Sequence, residues 1–202
     1  MSSGRESILN ALGKVRAPQT PPPQISLPEW TGDVLAGFIA KVQASVAQPH
    51  RIASLADVPA KIAEILRLAN AAPELHLPAE STLQHLPWNG APALTISSAP
   101  PAGDQSALSA AEFGIAETGT LVFFSGPNAR SSWHFLPGCE FILIERPRIL
   151  PRFEDVIARI GKLPGIPATI NLVTGPSRTA DIEQTIELGA HGPREIHILI
   201  VG

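Results

Sequence analysis

Apolar positions along this chain recur in two periods. Val34, Phe38, Val42 and Val46 repeat at helical spacing, as do Val58, Ile62, Ile65 and Ala69. Phe153, Val156, Ile157 and Ile160 fit the i, i+3, i+4, i+7 template. Thr31 is the expected cap of the first helix, with Asp33 in its first turn; Asp57 and Pro59 open the second. Asp155 and Gly161 mark the start and stop of the third. Short apolar runs at 51–53, 75–77, 94–96, 120–124, 141–144, 170–173 and 196–201 read as strands. Residues 106–112 and 179–188 are expected to be helices, and 97–105 and 125–138 loops.

Strands alternating with helices predict an α/β fold with a mostly parallel sheet covered on both faces. Right-handed crossovers put the strand C-termini on one edge. That edge is expected to gather the 174–178 turn and the residues after Ile144, where ligands of open parallel sheets bind. Ahead of this body, residues 5–16 form a short helix with Ile8, Leu9, Leu12 and Val15 on one face. Such a helix is marginal alone and must dock, a second copy of the chain being one partner. Residues 17–29 carry Pro18, Pro21, Pro22, Pro23 and Pro28 and read as a stiff linker. The expected organisation is therefore an N-terminal helical arm with its linker over 1–30 and an α/β domain over 31–202.

Composition narrows the class. Apolar residues are 44% and charged residues 16% of 202, an ordinary globular balance. A net charge of −3 gives no reason to expect nucleic acid. No apolar stretch is long enough for a membrane span. The N-terminus lacks the layout of a secretory signal. One cysteine, Cys139, excludes an internal disulfide and an iron–sulfur cluster of the chain's own, and a reducing cytoplasm is the expected compartment. No Lys or Arg lies between Arg67 and Arg130, while Arg130, Arg146, Arg148, Arg152 and Arg159 follow closely. This is either a solvated face of each sign or a basic groove for an anion.

Four constellations could carry chemistry. In TGPSRTAD, Thr174, Gly175, Ser177, Arg178, Thr179 and Asp181 surround a predicted helix N-terminus, which favours a phosphate or carboxylate. The plainer alternative is that Ser177 or Thr179 caps the helix and Arg178 pairs with Asp181. In GIAETGTLV, Glu117 is a candidate base or ligand orienter beside Thr118, Gly119 and Thr120, or else a solvent-facing turn residue. In the 125–138 loop, Arg130 and His134 could bind an anion or exchange a proton, or simply be solvated. His191-Gly192-Pro193 follows the predicted helix and is expected about 15 Å from the 174–178 turn, outside its site. No metal-ligand spacing stands out, and no three-glycine dinucleotide fingerprint or Walker lysine is present.

GIAETGTLV at 114–122, an Arg-containing loop ending in LPG at 136–138, TGPSRTADIE at 174–183 and GAHGPRE at 189–195 together resemble the LUD-domain family. The resemblance implies a fold similar to the sugar-isomerase, CoA-transferase and folate cyclo-ligase group. It implies a role beside iron–sulfur subunits in bacterial oxidation of L-lactate to pyruvate, through binding of a small organic anion or of a partner. The chain resembles the short, cluster-free members. Under that role Glu117 is the candidate catalytic residue, as an orienter or base, and Arg130 and Arg178 are candidate carboxylate clamps. A stand-alone isomerase or cyclo-ligase-like enzyme with a phosphorylated or nucleotide ligand is the alternative. The chain departs from the family pattern at Glu140, where a histidine is expected.

Overall fold

The computed structural model describes residues 4–13, 26–78, 82–126, 131–165, 167–180, 186–188 and 191–202. The chain divides into two units, Met1–Thr31 and Gly32–Gly202. In the first, α1 (Gly4–Leu12) exposes all its residues. Residues 14–25, with most of the predicted proline linker, lie outside the described residues.

The second unit opens with α2 (Val34–Ala44), β1 (Gln48–Ile52), α3 (Val58–Leu68), β2 (Glu74–His76) and β3 (Thr95–Ser97). Then come β4 (Ser106–Ala110), β5 (Phe113–Ile115), β6 (Thr120–Phe124), β7 (Cys139–Glu145) and β8 (Ile149–Leu150). It closes with α4 (Phe153–Ile160), β9 (Ile170–Val173), β10 (Arg178–Ala180), β11 (Ile186–Leu188) and β12 (Glu195–Val201). Six strands form a parallel sheet in the order β1-β12-β7-β4-β2-β3. A second sheet, β8-β5-β6-β9, is largely antiparallel.

Strand alternation sorts the core. Phe141, Leu143, Leu199, Val201 and Leu108 face α3, whose Val58, Ile62, Ile65 and Leu66 cover them. The opposite face of β7 and β12, with Glu140, Ile142, Ile144, Ile196, Ile198 and Ile200, is buried too. α2 and the second sheet close on it: a Cβ on Gly114 would meet both Ile144 of β7 and Phe38 of α2. On its outer side the second sheet packs Val122 and Ile115 against Val156 and Ile160 of α4. Burying β7 on both faces explains its continuous apolar run.

The α/β class with a mostly parallel main sheet flanked by helices holds, and four local expectations are corrected. Residues 106–110 are a strand, not a helix: this stretch is inserted between β2 and β7, and burial there overrides a weak helical preference. Residues 178–180 and 186–188 are strands rather than parts of a helix, paired antiparallel as β10 and β11, and 181–185 lie outside the described residues. β6 and β9 join the second sheet rather than a single parallel series. The cap of α2 is Asp33 rather than Thr31; its Oδ1 accepts from the amides of Leu35 (2.7 Å) and Ala36 (3.1 Å).

Candidate functional site

α2 runs down to the edge where the main-sheet strands begin, since only Ser45, Val46 and Ala47 separate it from β1. Its C-terminal turn is the floor on which two motif turns sit. Gly119, at φ +72°, brings the 116–119 turn against Lys41 and Val42, where a Cβ would fall 2.8 Å from the Val42 amide nitrogen. Gly175, at φ +77°, does the same for the 174–177 turn: a Cβ there would fall 2.5 Å from the Ser45 carbonyl oxygen. Both positions need glycine for its backbone freedom and for the close approach.

The two turns meet through hydroxyls. Thr118 and Thr120 Oγ1 are 2.7 Å apart, and Thr120 and Thr174 Oγ1 are 2.6 Å apart. Thr120 is buried, while Thr118 and Thr174 are exposed. Three hydroxyls joined by two hydrogen bonds keep one proton for a further acceptor, and both ends of the chain are exposed. Arg178 Nη2 donates to the Ser45 carbonyl at 3.0 Å, satisfying an orphan carbonyl at the negative end of α2. Glu117 is exposed in the same turn, and its amide donates to the Pro151 carbonyl at 3.0 Å.

The other motifs reach this edge as well. Ser177 N–H donates to the Pro193 carbonyl (2.8 Å), and Arg194 N–H to that of Gly138 (2.8 Å). The His191-Gly192-Pro193 turn is therefore adjacent to the 174–177 turn, not a helix length away. This edge is where β7 and β12 begin, not where strands end. With no helix after Ser177, the amides and dipole of the predicted anion site are absent. Arg130 and Asp181 lie outside the described residues, and Thr179 is described in its backbone only.

A second group was not assembled by sequence reasoning. The Nδ1–H of His134 donates to Oε1 of Glu140 at 2.7 Å, and Ser109 Oγ donates to the same oxygen at 2.6 Å. Glu140 is 0% exposed, and its Oε2 has no hydrogen-bond partner among the described residues. The His134 ring lies on Phe123, centroids 3.9 Å apart. The bond to the carboxylate and the stacking on Phe123 fix the orientation of the imidazole. The available signal was register: Glu140 shares a face with Ile142 and Ile144, so a carboxylate there has to be buried and partnered.

On the other face of β7 and β12, Cys139, Glu195 and His197 bring ligand-type atoms within 4.8 Å of one another. Burial pushes the Cys139 thiol up to about 12, with the Glu195 charge adding to it. Burial lowers His197 to about 4. It lowers His50 to about 4 as well, with His197 the next cause.

Residues 104–201 match the sequence model of the LUD domain. An uncharacterised protein of Neisseria meningitidis is 37% identical over 95 residues, covering 46% of this chain and 41% of the relative. A lactate utilization protein C of Geobacillus kaustophilus is 36% identical over 131 residues, covering 61% of this chain and 52% of the relative. The matched regions thus span about half the length of these relatives or less. In structure, the chain resembles a DUF162 family protein of Deinococcus radiodurans, with a TM-score of 0.59 at 19% identity, covering 84% of this chain and 96% of that one. No helix among the described residues is long and apolar enough to cross a membrane. The LUD-domain match thus covers the C-terminal part of the chain, and the chain is also similar to proteins named lactate utilization protein C.

Proposed function

We propose that the chain serves lactate utilisation as the cluster-free component of an L-lactate oxidation system, and that a small carboxylate of the lactate or pyruvate type binds where β7 and β12 begin. The observation that carries the ligand reading is the Thr118–Thr120–Thr174 hydroxyl chain, whose 174–177 turn rests on the same Ser45 that Arg178 bonds. A hydroxyl or keto oxygen bonds to the exposed end of that chain. The carboxylate meets Arg178, a fork donor with N–H groups beyond the one held by Ser45, and Arg130. Ser177, Thr179 and Asp181 belong to the same segment, and Gly119 and Gly175 keep both turns low against α2. Glu117 orients the substrate hydroxyl or accepts its proton. The relatives named lactate utilization protein C supply the metabolic reading. Oxidation of lactate to pyruvate releases two electrons and two protons, and iron–sulfur subunits take the electrons. The phosphate-binding alternative needs a helix N-terminus at 179, and that segment is a strand.

Deleting the gene in its host and isolating the tagged chain anaerobically test this reading. Growth on L-lactate should stop while growth on pyruvate continues, and the tagged chain should bring cluster-bearing subunits with it. Undiminished growth on L-lactate, or a chain recovered alone, contradicts it.

A further inference from the structure

We propose that Cys139, Glu195 and His197 form a three-ligand site for a zinc(II) ion, with a fourth position open to water or a small ligand. Parallel register creates the site. Glu195 is the Cα partner of Cys139, and His197 follows two residues later on the same face. The three ligand atoms lie within 4.8 Å of one another, and Glu195 Oε2 is 3.7 Å from His197 Nε2. A tetrahedron with zinc–ligand bonds of roughly 2.0–2.3 Å needs a slightly tighter set. Glu195 is the adjustable member of the set, its side chain being 58% exposed.

Cys139 is half-buried and His197 buried, and His197 carries an outer partner. His197 Nδ1 lies 3.1 Å from His50 Nε2, so one proton is shared between the rings. When it rests on His197 Nδ1, His50 accepts it and His197 Nε2 faces the cluster as a lone pair, the form a metal requires. The His197 ring is held between Phe141 and His50, with centroids 5.0 and 5.3 Å away. Ser106 of β4 is the Cα partner of Cys139. Sulfur, nitrogen and oxygen donors together suit zinc, and three protein ligands leave a coordination position free. Spacing analysis of the sequence misses the set because β7 and β12 are far apart in the chain. The site uses none of the residues of the proposed carboxylate pocket and stands or falls separately.

The test is titration of the chelator-stripped full chain with zinc chloride against a chromophoric competitor, and with cobalt(II) followed by absorption. One equivalent of zinc should bind with Kd below about 1 μM. Cobalt should give a thiolate charge-transfer band that Cys139→Ser abolishes. His197→Gln and Glu195→Gln should each weaken zinc by at least the roughly 10–100-fold expected of an outer partner, and His50→Phe by about that range. Glu195 is exposed, so Glu195→Gln reports on the site even where a buried variant folds poorly. Failure to bind zinc, or binding unchanged by Cys139→Ser and Glu195→Gln, overturns the proposal.

Discussion

His134 and Glu140 are joined at 2.7 Å inside the protein, an imidazole from a loop bonded to a carboxylate on the second residue of β7. Ser109 of β4 completes the group, and Glu140 Oε1 accepts from both. A buried acceptor that loses a donor loses solvation it cannot regain. Ser109→Ala and His134→Ala are each expected to destabilise the fold by about 1–3 kcal/mol. Urea unfolding measures this, and the double variant should cost more than the sum, because either donor alone still serves the shared oxygen. Strict additivity would mean the two bonds are independent.

Gly175→Ala places a methyl group against the Ser45 carbonyl oxygen while forcing a residue with a Cβ to φ +77°. Strain of this kind costs about 1–3 kcal/mol. For a chain of this size each kcal/mol lowers the melting temperature by roughly 2–4 °C. Scanning calorimetry should therefore show a fall of several degrees. An unchanged melting temperature would mean that the turn does not rest on the end of α2.

The edge of the sheet was less legible in the sequence than its centre. β7 and β12 are apolar on both faces, and α4 repeats with the helical period, so these elements declare themselves. Residues 178–188 read RTADIEQTIEL, where Ala, Glu, Gln and Leu favour a helix. Arg178 pairs with Leu188 and Ala180 with Ile186 in two antiparallel strands instead, a choice local periodicity does not encode. TGPSR and HGPR were visible as motifs. Their contact through Ser177 and Pro193 accompanies the pairing of β10 with β11 and so escaped sequence reasoning.

Acid should loosen α2, and with it the floor beneath both turns. The amides of Ala36 and Leu35 hold the Asp33 carboxyl below its ordinary value of 3.8. A depressed folded-state value means the cap contributes stability above the unfolded value and loses it as pH falls through the folded one. The urea midpoint of the natural chain should therefore fall more steeply below about pH 4 than that of Asp33→Asn, which keeps a capping oxygen and does not titrate. Parallel curves would show that the cap is not titrating.

Calorimetric titration of the purified chain with L-lactate and pyruvate, repeated on Thr120→Val, addresses the carboxylate site directly. Valine matches threonine in shape and removes the central hydroxyl of the Thr118–Thr120–Thr174 chain. At least one of the two acids should bind saturably to the natural chain, and Thr120→Val should weaken it by about tenfold, equivalent to about 1.4 kcal/mol. Saturable binding of neither acid, or equal affinity in the variant, would contradict a carboxylate site at this edge.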